Sequence, residues 1–171
     1  VSSALVVMFG LPGAGKSYVA RRFAALHGVH FHEGDDDLPA DMREAIDHAA
    51  KVTPDMRDRF VDAMVSSVKR LLAQHGRVVL AQTFLKAQHR ARFLAAFPSA
   101  EFVLVAAPGE LREWRLQHRH HQPLEPAYAR AMTGLFDAPP SGVRVITNDG
   151  DAAALDAQLL SPTLSSGEER E

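Results

Sequence analysis

Short apolar runs alternate along this chain with longer stretches in which apolar residues recur every three or four positions. That alternation predicts a parallel sheet covered by helices. Ala4–Phe9 predicts a buried first strand, and Lys16–His27 a helix with Val19, Phe23 and Leu26 on its inner face, stopped by Gly28. Val29–Phe31 predicts a short second strand and Asp41–Ala50 a helix. Pro54–His75 is the clearest helix, with Pro54 in its first turn, Gly76 beyond its end, and a stripe of Phe60, Val61, Met64, Val65, Val68, Leu71 and Leu72. Val78–Ala81 predicts a third strand, and a helix follows as far as Phe97, closed by Pro98. Glu101–Ala107 predicts a fourth strand and Gly109–His118 the helix beyond it. Pro123 and Pro126 interrupt the pattern, so His120–Pro126 reads as a mobile loop. Tyr128–Phe136 resumes a helix, Val143–Thr147 predicts a fifth strand, and Asp151–Leu160 a last helix. Residues 161–171 are polar without an apolar period and read as a frayed tail. No repeat or linker divides the chain, so residues 1–160 are expected to form one α/β domain.

Charge and composition narrow the partners. The 171 residues carry a formal net charge of -2, which supplies no field for general nucleic-acid binding and favours a small-molecule partner. There is no cysteine, so a disulfide framework and a thiolate metal site are both excluded. No apolar run approaches the roughly 20 residues that span a bilayer. Val1-Ser2-Ser3 has no charged n-region, so no signal peptide is expected, and a cytoplasmic location follows as the expectation.

The chemistry begins at the exit of the first strand. Gly10, Leu11, Pro12, Gly13, Ala14, Gly15, Lys16 and Ser17 spell G-x-x-x-x-G-K-[ST] between a strand and a helix. Glycines let backbone N–H groups turn inward around an anion, and the helix start adds orphan donors and its positive dipole end. Lys16 is expected to bridge the outer phosphates of ATP and Ser17 to place its hydroxyl on Mg²⁺, with Tyr18 beside them in the nucleotide site. A motor or switch NTPase carries an aspartate after a second buried strand. Here Val78–Ala81 runs into Gln82, and Phe102–Ala106 is followed by no acid. The acids follow Val29–Phe31 instead. Glu33 and Asp35 are two positions apart, and an extended backbone would point both to one side, with Gly34 allowing close approach. Asp35 is the candidate to accept the proton of an attacking hydroxyl, and Glu33 to orient a Mg²⁺-bound water. Asp36 and Asp37 read as capping and solvation. The plain alternative for the whole stretch is an acidic solvated turn.

Arg112, Arg115 and Arg119 fall on one helix face and lead into the Pro-bounded segment. A lid at about 115–127 closing over phosphates would use Arg115 and Arg119 to offset charge on the transferred group. Arg112 reads equally as surface. His118, His120 and His121 lack a metal-ligand spacing and suit contact with nucleotide or substrate better.

These features together resemble the gluconate kinase branch of the shikimate/gluconate kinase-like small-molecule kinases, from about Leu5 to Pro139. Phe31-His32-Glu33-Gly34-Asp35-Asp36 is similar to that family's aromatic-x-acid-Gly-Asp stretch, and the resemblance implies that Asp35 faces the substrate hydroxyl. Thr53–Arg59 is similar to its Thr-Asp-x-Asp-Arg segment, which implies substrate holding by Arg57. Ala81–Lys86 with Arg90 resembles Ala-Cys-Ser-Ala-Leu-Lys and its following arginine, and Arg115–His121 stands where the family has its lid. Asp36-Asp37-Leu38-Pro39 replaces the family's Asp-x-Leu-His, Gln82-Thr83 its Cys-Ser, and Ala131-Met132 its Ser-Gln. Lys86, Arg57 and Arg90 also read directly as partners for a carboxylate or phosphate, and Thr83 and Gln82 as partners for a polyol; Arg57 and Arg90 read equally as helix-surface charges.

The expectation is therefore a three-layer P-loop fold: a five-stranded parallel sheet, helices on both faces, and a small lid. The expected activity is Mg²⁺-dependent transfer of the γ-phosphoryl group of ATP to a hydroxyl of a small polar acceptor, a gluconate-like sugar acid or related carbohydrate. The alternatives are a shikimate- or nucleoside-type kinase, with Phe84 as base clamp, a regulatory ATP-binding module without turnover, and a nucleic-acid end kinase. Asn148 and Asp149 are positional candidates for adenine contact. A homodimer is left open, and neither nucleic acid nor membrane is expected as partner.

Overall fold

The computed structural model describes residues 3–48, 50–118 and 126–161. Five parallel strands form one sheet in the order β2-β3-β1-β4-β5: β1 Leu5–Phe9, β2 His30–Glu33, β3 Val78–Ala81, β4 Glu101–Ala106 and β5 Arg144–Thr147. The helices are α1 Lys16–His27, α2 Ala40–Asp47, α3 Pro54–His75, α4 Ala87–Ala96, α5 Gly109–Gln117, α6 Pro126–Gly134 and α7 Ala152–Leu160.

The central strand shows why the runs are apolar throughout. Leu5, Val7 and Phe9 join one core layer with Phe60, Met64 and Val68 of α3 and Phe93 of α4. Val6 and Met8, pointing the other way, join a second layer with Val19 and Phe23 of α1 and Leu155 and Leu159 of α7. Both faces of the sheet are thus covered. The rest of the α3 stripe follows expectation: Val61 and Leu71 are buried, and Val65 and Leu72 pack against the same layer. Helix α1 departs from it by one position. Ala20 is buried beside Val19 and Phe23, whereas Leu26 is exposed on the turn before Gly28.

Local signals set the helix ends. The Thr53 hydroxyl accepts from the Met56 amide at 3.2 Å, Pro54 needs no donor in the first turn, and Gly76 closes α3 with φ 73°. Asp151 caps α7 by accepting from the Ala153 and Ala154 amides. Because all five strands are parallel, their C-terminal ends share one edge of the sheet. The chain leaves β1 toward β3 and β2 on one side and reaches β4 and β5 on the other, so the Gly10–Ser17 loop emerges where strand order reverses. Among the described residues, no helix is long and apolar enough to cross a membrane.

Candidate active site

The loop after β1 is built from glycines that nothing else can replace. Gly13 and Gly15 have φ of 80° and 84°, the left-handed region that side chains disfavour. A Cβ on Gly13 would lie 2.6 Å from the Arg112 carbonyl oxygen, and one on Gly15 would meet the Asn148 amide. The Lys16 ammonium donates to the Leu11 carbonyl at 3.1 Å, folding over the loop.

Asn148 fastens the loop from the far side of the sheet. It follows β5, is buried, and donates to the Ala14 carbonyl at 2.9 Å. Its own N–H donates to the Ala106 carbonyl at 2.8 Å. Arg115 completes this support. Its guanidinium reaches the Gly13 and Ala14 carbonyls at 3.4 and 3.3 Å and the Asn148 carbonyl at 3.2 Å. Arg115 therefore sits on the loop's outer wall, half-buried, with burial drawing its pKa down against the Asp149 charge. Beside it opens a cavity of about 350 Å³ lined by Gly15, Tyr18, Arg115, Asn148, Gly150 and Asp151. Arg119, His120 and His121 and the centre of the expected lid lie outside the described residues. His118 is within them, and its Nδ1 meets the Trp114 carbonyl at 2.8 Å while its ring stacks on Trp114.

Glu33 ends β2 beside Ser17, whose hydroxyl favours its charged form. Burial pushes its carboxyl up from the ordinary 4.5, and the Asp35 charge adds to the rise. The Ser17 hydroxyl, Lys16 and Arg21 oppose it. The extended run through Glu33 and Asp35 expected above does not occur. Gly34–Asp37 is a single 3-10 turn, and Asp35 is exposed on it. The turn forms because two groups clamp it. Arg43 of α2 donates to the Asp35 carbonyl at 2.9 Å. Asp37, expected to be solvated, is instead enclosed: its carboxylate meets His32 Nε2 at 2.6 Å and accepts from the Ser67 hydroxyl at 2.5 Å. Across the sheet edge, Gln82 donates to Asp35 Oδ1 at 3.0 Å.

The residues expected around an acceptor divide. Thr83 is half-buried at the strand edge and donates its N–H to Gln82 Oε1 at 2.6 Å. Lys86 pairs with Asp137 at 3.2 Å, and Asp137 also accepts from the Ala87 amide at 2.9 Å. That backbone hydrogen bond first, and Lys86 second, hold the Asp137 carboxyl below the usual carboxylate range. Arg90 is neither surface nor acceptor-facing. It is 5% exposed and donates to the carbonyls of Phe84, Leu85, Asp137 and Ala138, with the Phe9 and Phe136 rings flanking it. Phe84 is buried against Phe93 and Phe102 with φ 48°, which removes it as a base clamp. Arg57 is half-buried near His89 and, among the described residues, makes no ion pair. Arg59 does, with Asp41 at 2.6 Å and Asp55 at 2.9 Å.

Three comparisons bear on this arrangement. The AAA domain family matches residues 5–139. No curated protein matches in sequence. Among solved structures, the fold is similar to that of a sugar kinase from Janibacter sp. HTCC2649, with TM-score 0.77, 19% identity, and 91% of each chain covered. It is similar to a gluconokinase from Sinorhizobium meliloti 1021, with TM-score 0.74, 24% identity, 90% of this chain and 88% of the other. It is also similar to Chaetomium thermophilum Kti12 in complex with ADP-AlF3, with TM-score 0.67, 19% identity, 91% of this chain and 95% of the other.

Proposed function

This chain belongs to the AAA domain family, and from that premise we propose that it is an ATP-dependent kinase acting on a hydroxyl of a small polar acceptor, a sugar acid or related carbohydrate. The observation that carries this reading is the meeting of Ser17 with Glu33. A phosphate-type loop and a half-buried carboxylate touch at the end of β2, with Asp35 two residues on.

Ser17 and Glu33 form an all-oxygen donor pair, which fits Mg²⁺. They would hold that ion, Glu33 through water, and the ion would neutralise charge on the phosphates. Lys16 and the Gly13–Ser17 amides would hold the outer phosphates, where preorganised donors act without reorganisation cost. The cavity beside Tyr18, Arg115 and Asn148 is read as the seat of the nucleoside, with Arg115 at the nucleotide. Asp35 would take the proton of the acceptor hydroxyl. The acceptor oxygen then bonds to the γ-phosphorus as the bond from that phosphorus to the β,γ-bridging oxygen breaks, releasing ADP. Arg57, Thr83 and Lys86 would hold the acceptor, and Arg119 would cover the transferred group as the segment 115–127 closes.

Two features of the site shape the acceptor. Burial of Phe84 weakens a nucleoside reading, and Lys86 and Arg57 favour an acceptor bearing a negative charge. The test is coupled ADP release against sugar acids, sugars, shikimate and nucleosides. Acceptor-dependent release should appear and fall by about 10²- to 10³-fold in Lys16→Ala and comparably in Asp35→Asn. ADP release indifferent to every acceptor would assign the chain to ATP binding without transfer.

A further inference from the structure

We propose that Gln82 is a positioning residue for Asp35, fixing one carboxylate oxygen so that the other is presented to the acceptor hydroxyl; this rests on the kinase reading above.

The direction of the Gln82 amide is settled by its neighbours. Backbone N–H groups can only donate, so the atom meeting the Thr83 N–H at 2.6 Å is the amide oxygen. The amide nitrogen therefore faces Asp35 Oδ1, at 3.0 Å. Gln82 is 8% exposed, so its amide is enclosed although the Asp35 carboxylate it meets stands at the surface. Among the described residues no hydrogen bond reaches Asp35 Oδ2, and Asp35 is exposed.

Sheet register brings the two residues together. Glu33 lies opposite Ala81, and Ala81 opposite Met8, so Gly34 and Gln82 are the next positions out on adjacent strands. The Gln82 N–H donates to the Met8 carbonyl at 3.1 Å and holds the backbone in line with β1. Gly34 is needed for the approach, since a Cβ there would lie 2.7 Å from Gln82 Nε2 and 2.9 Å from the Ala81 carbonyl oxygen. The first residue after β3 thus aims a side chain on the turn after β2. It also ties that turn to the strand beside the phosphate loop, so the base and the loop share one frame. Asp36 and Asp37 share the turn with Asp35, Glu33 on β2 feels its charge, and Arg43 on α2 donates to its backbone carbonyl rather than to its carboxylate.

Two variants of similar size test this. Gln82→Met removes the donor, and Gln82→Glu replaces it with a second carboxylate. Acceptor-dependent kcat should fall about 10²-fold in Gln82→Met, the loss that a misplaced reacting group incurs, while ATP affinity and thermal midpoint stay near wild type. In Gln82→Glu the donor is replaced by an acceptor, so acceptor-dependent kcat should fall at least as far, again with ATP affinity near wild type. Wild-type acceptor-dependent kcat in both variants would overturn the inference. Should wild-type protein bind ATP yet release ADP with no acceptor, the kinase reading fails by itself. The crystal structure of Gln82→Met then decides the positioning claim: an Asp35 carboxylate displaced from its wild-type place supports it, and one left in place overturns it.

Discussion

Asn148 and Ala14 are 134 positions apart, yet the Asn148 side chain donates to the Ala14 carbonyl at 2.9 Å inside the protein. The phosphate loop is therefore held by the last strand as well as by its own helix. Asn148→Leu leaves the buried Ala14 carbonyl with only the longer bond from Arg115, at 3.3 Å. A stability loss of about 1–3 kcal/mol is expected from urea unfolding, together with weaker ATP binding by calorimetry.

Glu33 sets a pH dependence in the ligand-free protein. Its folded-state pKa is raised above the ordinary 4.5, chiefly by burial. Its contribution is thus fully present below 4.5 and is lost as pH rises through the folded value. Glu33→Gln should abolish that loss. Thermal midpoints without Mg²⁺ or nucleotide should match wild type near pH 4 and exceed it at neutral pH. A variant less stable than wild type at neutral pH would contradict this account of the carboxylate.

Arg90 joins the loop after β3 to the segment after α6 through four carbonyls. Arg90→Met should cost about 3 kcal/mol or more, since buried carbonyls lose a charged donor. Denaturant midpoints would show it. ATP affinity of the folded protein should stay close to wild type, because no Arg90 bond reaches the phosphate loop.

Asp137 occupies Lys86, which the proposed reaction needs for an anionic acceptor. Asp137→Asn should free it while still accepting from the Ala87 amide. The acceptor KM should then fall by up to about fivefold, with the ATP KM unchanged. A higher acceptor KM would mean that Asp137 itself touches the acceptor.

Local chemistry was legible in the sequence, and long-range pairing was not. Helix α3 runs over the residues expected because Thr53, Pro54 and Gly76 are signals read within a turn of each end. Strand β2 was harder to place. Its His30, Phe31, His32 and Glu33 are all half-buried at a sheet edge, so polarity does not mark its end. The phosphate loop announces itself in eight adjacent residues. Asp37 did not, because its partner Ser67 lies 30 positions away on α3. Arg90 looked like a surface charge because the carbonyls that hold it leave no trace in side-chain pattern. Gln82 and Asn148 were picked out, and each is the first residue after a strand at the sheet's C-terminal edge, but their partners Asp35 and Ala14 lie 47 and 134 positions away and left their roles unread.

The strand order has a consequence for synthesis. The central strand β1 is made first, but its two neighbours arrive only with Val78–Ala81 and Glu101–Ala106. Until the ribosome has delivered both, Leu5–Phe9 is a fully apolar ribbon with bare peptide groups along at least one side. A nascent chain interrupted before the second of them is released is therefore a substrate for chaperones or for clumping with its own kind.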